Sequence, residues 1–186
     1  MSLDRPLRAA APRRPQMPSI ELQPFRPTHD MPLIERWLRD PEVSRWWGES
    51  AQVQAALAGH PADHAALIHV DGVAVGLLCW QIPTRRELAD AGLDDLPADL
   101  VDIDIVIGEA GMRGQGLGPL ALELLFERLR REGVKLVGVA TALGNSHALA
   151  AYARVGLQPY RDFFELGEDY RYLTRHLDNP GQPSAG

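Results

Sequence analysis

Apolar positions along this chain alternate between a spacing of two and a spacing of three to four, and the switches mark its elements. "IELQPFR" (20–26) alternates and predicts a first strand. Leu33, Ile34, Trp37 and Leu38 are spaced for one face of a helix over 31–40. Asp30 is its expected N-cap, Pro32 stands just inside, and Pro41 stops it. Residues 50–59 repeat the pattern, with Ser50 as cap and Gly59 as stop. Two apolar runs over 64–81 flank Asp71–Gly72, a hairpin signal. The acidic stretch 85–100 has no period and reads as irregular. "VDIDIVIG" (101–108) puts Asp102 and Asp104 on one face of a strand, Ile103 and Ile105 on the other. A helix over 117–131, a strand over 134–141 and a helix over 146–155 stopped by Gly156 follow. "LQPYRDFFEL" and "DYRYLTRHL" close the chain as two strands. The order β α α β β β α β α β β, without internal repeats, implies one mixed sheet in an α/β or α+β domain.

Composition narrows this picture. The 186 residues suffice for one domain with a real core, expected over 19–177. Residues 1–18 form an arginine- and proline-rich arm that cannot build a core, and 178–186 read as a flexible tail. A net charge of −6 argues against a general nucleic-acid partner and suits a small cationic one. One cysteine, Cys79, excludes an internal disulfide framework and points to a reducing, cytoplasmic setting. No apolar run is long enough to span a membrane, and no signal-peptide segment is visible, so no membrane partner is expected. Both monomer and homodimer remain open.

The candidate chemistry centres on "MRGQGLGPLALELLFERLRREG" (112–133), where three glycines crowd before a helix. Gly116-Leu117-Gly118-Pro119-Leu120-Ala121 satisfies a dinucleotide fingerprint, but "EAGMR" separates it from the strand and the next strand ends "VAT" without an acid. A P-loop is excluded, because no Gly-Lys-Ser/Thr follows. Tight packing alone is a second reading. A third is a diphosphate cradle. The helix start leaves N–H groups unpaired at its positive end, glycines let phosphate oxygens approach, and Arg113 adds charge at the mouth.

Arg113-Gly114-Gln115-Gly116-Leu117-Gly118 resembles the R/Q-x-x-G-x-G/A signature of the GCN5-related N-acetyltransferases (GNAT). "GNSHALAAYARVGLQPY" (144–160) is similar to that superfamily's later segment, with Asn145, Ala148, Tyr152, Gly156 and Leu157 in place. Within the superfamily, "IERWLRDPEVSRWWGES" and "VDIDIVIGEAGMRGQGLG" resemble aminoglycoside 6′-N-acetyltransferases. Siderophore-type lysine acyltransferases share a similar layout. The resemblance implies the GNAT fold: a central, mixed, mostly antiparallel sheet splayed at the cofactor site and flanked by helices. It also implies acetyl-CoA as cofactor and a primary amine as acceptor. The cofactor would lie against Met112, Arg113, Gly114, Gln115, Gly116, Leu117 and Gly118, against the backbone of Ile105, Val106 and Ile107, and against Asn145, Ala148 and Tyr152.

Transfer from a thioester to an ammonium needs a base, an oxyanion donor and an acid. Asp104 matches the superfamily's catalytic aspartate, with Asp102 beside it able to raise its pKa or help hold a polycation. The resemblance gives the oxyanion donor to backbone N–H groups around Ile105–Ile107, and the proton for the leaving thiolate to Tyr152. No covalent acyl-enzyme is expected: Cys79 reads as core, and no G-x-S-x-G elbow exists. His60 and His64 suggest no metal site. Trp46 and Trp47 are candidates to stack on the acceptor, against a plain packing role. The acids Glu87, Asp90, Asp94, Asp95, Asp99, Asp102 and Asp104 would draw a cation by field. One departure stands out: aminoglycoside relatives hold the drug with an aspartate where this chain has Ala140. A siderophore lysine or hydroxylysine therefore stays open as acceptor, as does a non-catalytic acyl-CoA sensor.

Overall fold

The computed structural model describes residues 18–61, 63–165 and 167–177. Apart from Pro18, the expected arm and tail lie outside the described residues. Strand β1 (Ile20–Pro24) leads into helices α1 (Pro27–Leu38), α2 (Pro41–Trp47) and α3 (Ser50–Gly59). The hairpin β2 (Ala65–Val70) and β3 (Val73–Gln81) turns at Asp71–Gly72, both at positive φ. Helix α4 (Arg85–Asp90), β4 (Val101–Ile107), a 3-10 turn over Ala110–Met112, α5 (Leu117–Arg131), β5 (Leu136–Ala142), α6 (Ser146–Arg154), β6 (Gln158–Glu165) and β7 (Glu168–His176) follow.

The strands form one sheet in the order β1-β2-β3-β4-β5-β7-β6. Every neighbouring pair is antiparallel except β4 and β5. That one parallel pair shapes the site. It matches only Val101 with Val137 and Asp102 with Gly138, after which the two strands part. Beyond Asp102, β4 is laddered to β3 alone, and its other side faces a wedge-shaped opening.

Each face of the sheet buries its own core. Ile103 of β4, Leu78 and Trp80 of β3 and Val137 and Val139 of β5 pack under α5 and α6. Helix α5 buries Leu117, Ala121, Leu122, Leu125, Phe126 and Leu129, the stripe its sequence spacing predicts. Each of its large residues contributes about 1.5–3 kcal/mol by leaving water. On the opposite face, Leu67, Leu77 and Cys79 pack under Ile34, Trp37, Val43 and Leu57 from α1–α3. A third cluster joins Leu88, Leu93, Leu96, Leu100, Leu136 and Tyr172. Asp102 and Asp104 share a strand face with Cys79's side of the sheet, in the gap between the second and third clusters.

Several expectations change. Helix α1 starts at Pro27, with Arg26 as N-cap; Asp30 lies in the first turn, buried, and accepts from the Arg26 N–H at 2.7 Å. Pro41 both stops α1 and opens the unexpected α2, because Asp40 caps it by accepting from the Glu42 N–H. Glu49, not Ser50, is the N-cap residue of α3. The acidic stretch is not wholly irregular: Thr84 and Glu87 form a reciprocal capping box that starts α4.

Candidate active site

The parting of β4 from β5 opens a cleft of about 770 Å³. Its walls come from β4, the glycine loop and start of α5, the inner face of α6, and α2–α3 across the front.

The glycine loop is held open by its own conformation. Gly114 and Gly116 have φ of +72° and +77°, which other residues rarely adopt, and a Cβ at either would meet nothing within 4 Å. Gly116 is the N-cap of α5 and supplies no side-chain cap. The N–H groups from Gly114 to Gly118 have no backbone partner among the described residues. A fifteen-residue helix thus ends in unpaired donors at its positive pole, on an open cleft. Such a cradle fits a diphosphate-bearing cofactor. Pro119, the third helical residue, removes one N–H that the cap would otherwise leave free.

Arg113 does not offer its charge freely. Its guanidinium reaches Asp40 at 2.7 Å and Glu42 at 3.0 Å, and donates to the carbonyls of Ile107 and Gly108 at 2.9 Å. Asp40 is held below the usual carboxylate range, first of all by that hydrogen bond. Arg113 therefore ties the loop to α2. Trp37 ties it to α1: a Cβ on Gly108 would fall 2.0 Å from the indole, and the indole N–H donates to Glu109 at 2.9 Å. Arg113→Gln is expected to weaken coenzyme A binding only several-fold, through loop loosening. Asp40→Asn should then reproduce most of that loss, whereas a direct phosphate contact would leave Asp40→Asn silent; calorimetric titration of both variants separates the two.

Asp104 stands opposite Cys79 in the β3–β4 register, with its side chain exposed on the cleft. Burial raises its pKa, and His60 opposes the rise. Asp102, one turn of the pleat earlier, accepts from the Tyr172 hydroxyl at 2.9 Å. That bond exists because residue 138 is glycine: a Cβ there would sit 2.2 Å from the same hydroxyl. Burial, then the charge of Asp104, pushes Asp102 up to about 7. Tyr152 projects from α6 with its ring buried, and burial, then the two aspartates, pushes its hydroxyl upward. It stays protonated at neutral pH and can donate. Burial, then Asp104, likewise raises Cys79, which keeps it a thiol rather than a nucleophile.

A carboxyl that holds its proton more tightly when folded costs nothing below the unfolded pKa, 3.8, and costs more as pH climbs toward 7. Asp102→Asn keeps an acceptor for Tyr172 and removes that cost. Its stability relative to the unsubstituted chain should rise between about pH 5 and pH 8, as denaturant midpoints at both pH values will report.

Among the sequence-derived candidates, Asp102, Asp104, Ile105, Val106, Ile107, Met112, Arg113, Gly114, Gly116, Leu117, Gly118, Asn145, Ala148 and Tyr152 all line the cleft. Trp46 and Trp47 do too, but unequally placed: Trp47 packs on the second core, while Trp46 approaches Gly144 across the opening, with Arg45 over its ring at 4.4 Å. Gln115 is outside it; its side chain turns back to the Gly111 carbonyl at 2.6 Å. Asn145 caps α6 by accepting from the Ala148 N–H at 3.1 Å, so its oxygen is engaged. The cleft also contains His60, weighed above only as a metal ligand, and Gln81 and Tyr170, which the sequence pattern does not single out. Among the described residues no group of three or more His, Cys, Asp or Glu side chains is placed to hold a metal, and no helix is long and apolar enough to cross a membrane.

Comparison with known proteins agrees with this geometry. A family model described as an acetyltransferase (GNAT) domain matches residues 26–164. The aminoglycoside acetyltransferase AAC(6')-Ib in complex with coenzyme A has a TM-score of 0.70 at 19% identity, over 85% of this chain and 95% of its own. The complex of that enzyme with coenzyme A and kanamycin gives the same values. A GNAT-family acetyltransferase from Bacillus anthracis has a TM-score of 0.67 at 10% identity, over 85% of this chain and 95% of its own. No curated protein sequence matches. The sheet parted at β4 and β5, the open helix tip beside it and the matching family model converge: the chain belongs to the GNAT acetyltransferase family, whose cofactor is acetyl-CoA.

Proposed function

We propose that this acetyltransferase acts on a primary amine of a small cationic acceptor by direct attack, with Asp104 as base and Tyr152 as acid. One observation carries the reading: Asp104, the unladdered side of β4, the N-terminus of α5 and Tyr152 all line a single cleft. The donors at Gly114–Gly118 hold the cofactor's diphosphate, and the free side of β4 over Ile105–Ile107 supports its arm. Bound acetyl-CoA supplies the acyl thioester. Asp104 attracts the ammonium and takes its proton, directly or through water. Tyr152, kept protonated by its surroundings, returns a proton to the departing sulfur. Cys79 is held as a thiol and takes no part.

Trp46 is the acceptor-facing aromatic of the front wall. An aminoglycoside is the first acceptor to test, given the sequence resemblance and the structural likeness to an aminoglycoside acetyltransferase. A second acceptor class is favoured by Ala140, which lines the cleft without a carboxylate. A lysine- or hydroxylysine-type amine needs fewer anionic contacts than a polyamine sugar. Thiol release from acetyl-CoA, measured across aminoglycosides, diamines, lysine and hydroxylysine, decides between them. Turnover confined to amino-acid amines overturns the aminoglycoside reading. Tight coenzyme A binding with no turnover on any amine overturns catalysis in favour of an acyl-CoA sensor.

A further inference from the structure

The cleft does not end at the glycine cradle. It continues along one flank of α6, where His147, Ala150, Ala151 and Arg154 follow one another at helical spacing and line its wall. Pro119 and Leu122 of α5 line the same cleft. The two alanines keep the α6 flank low, so a furrow stays open beside it. Arg175 fixes how the two helices meet. Its Nη1 donates to Glu123, on the second turn of α5, and to the Val155 carbonyl just past α6, both at 2.6 Å. Arg154, the last residue of α6, is therefore held near the second turn of α5. That turn lies about 9 Å along the helix from Leu117, at 1.5 Å per residue.

The two arginines that line the cleft differ in their commitments. Arg113 is taken by Asp40 and Glu42. Arg154 is exposed and forms no ion pair or side-chain hydrogen bond with the described residues. Helix α6 carries no acidic residue, and Glu123 of α5 is already paired with Arg175. An unpartnered cation on the cleft wall, past a cradle for a diphosphate, suits a second anion on the same ligand. In coenzyme A the diphosphate joins the pantetheine arm to an adenosine that bears one further phosphate, on its ribose 3′ oxygen. The arm is directed along β4 toward Asp104 and Tyr152, which leaves the outer furrow to the nucleotide half.

We propose that Arg154 receives the cofactor's 3′-phosphate, and so makes this cleft select coenzyme A over its 3′-dephospho form. The inference rests on the reading of the glycine loop as a diphosphate cradle. A guanidinium on a phosphomonoester is a charge-assisted contact, but here it stands open to water, which limits its strength. For the same reason salt screens it. A plainer role competes: a basic residue in the last turn of a helix complements the dipole there. That role predicts a change in stability and no discrimination between the two forms of the cofactor.

The test is calorimetric titration of the full chain and its Arg154 variants with coenzyme A and with 3′-dephospho-coenzyme A. The unsubstituted chain should bind coenzyme A about five-fold more tightly than the dephospho form. That preference should shrink as salt rises from about 0.05 M to about 0.5 M. Arg154→Gln should lower the affinity for coenzyme A by the same factor and leave that for the dephospho form within about two-fold. Arg154→Lys should keep part of the preference, and Arg154→Glu should reverse it. Equal affinities in the unsubstituted chain, or a preference that survives Arg154→Gln, overturn the proposal. Equal losses for both forms also overturn it, by moving Arg154 onto the diphosphate. A lowered melting temperature in Arg154→Gln with the preference intact leaves Arg154 as a helix-end residue only. Failure of the unsubstituted chain to bind either form overturns the cradle, and the proposal falls with it.

Discussion

Asp104→Asn is expected to lower kcat/KM on the best acceptor by about 10²–10⁴-fold, the range for removing a positioned base. The substitution keeps shape and hydrogen bonding and removes only basicity. Because Asp104 opens on the cleft and lies between two core clusters rather than inside one, the fold should survive it. Coenzyme A affinity should be nearly unchanged, since the cradle lies at the other end of β4. The loss should be steepest near neutral pH, where the acceptor is almost wholly ammonium, and should shrink as alkaline conditions deprotonate the amine without help. A rate profile against pH for both proteins checks this. Equal loss at every pH would give Asp104 a binding role instead.

Gly116→Asp is the second large effect, and it separates fold from binding. The position has φ of +77°, which aspartate tolerates better than most residues. A carboxylate at the N-cap of α5 also suits the helix dipole, so the melting temperature should hold or rise. The same carboxylate would stand where the cofactor's diphosphate is expected. Two like charges about 4 Å apart at an effective dielectric near 20 cost about 4 kcal/mol, so coenzyme A affinity should fall by about 10²–10³-fold. Calorimetric titration beside a thermal melt reads both quantities. An unaffected affinity would mean that the glycines serve packing alone.

Both substitutions fall on residues that the sequence already exposed, for a physical reason. Asp102 and Asp104 stand out because a strand alternates, and Gly114 and Gly116 because a crowded helix start is visible in six letters. The stripe of α5 and the Asp71–Gly72 turn are legible on the same local terms. The omissions are mostly long-range. Arg113 reads as a free cation until the fold brings Asp40 and Glu42, more than seventy residues earlier in the chain, onto it. Tyr172 reads as one strand residue among many, and reaches Asp102 only because β7 lies against β5 and Gly138 leaves room. The sequence shows His60 only as an unpromising metal ligand beside Pro61, and its contact with the Trp80 carbonyl depends on how α3 returns to the sheet. The start of α2 was different: Asp40-Pro41 is a cap followed by proline, a local signal read only as a stop. The parting of β4 from β5 has no local signature, since strand pairing is decided by neighbours rather than by either strand's own residues.

The central claim is that the unpaired N–H groups at the tip of α5 receive the cofactor's diphosphate. Amide resonances followed during titration with coenzyme A test it most directly. The account predicts that Gly114, Gln115, Gly116, Leu117 and Gly118 shift most, with Tyr152 and the β4 residues Ile105–Ile107 moving as the arm enters. Saturable binding that left those five amides unmoved would contradict it.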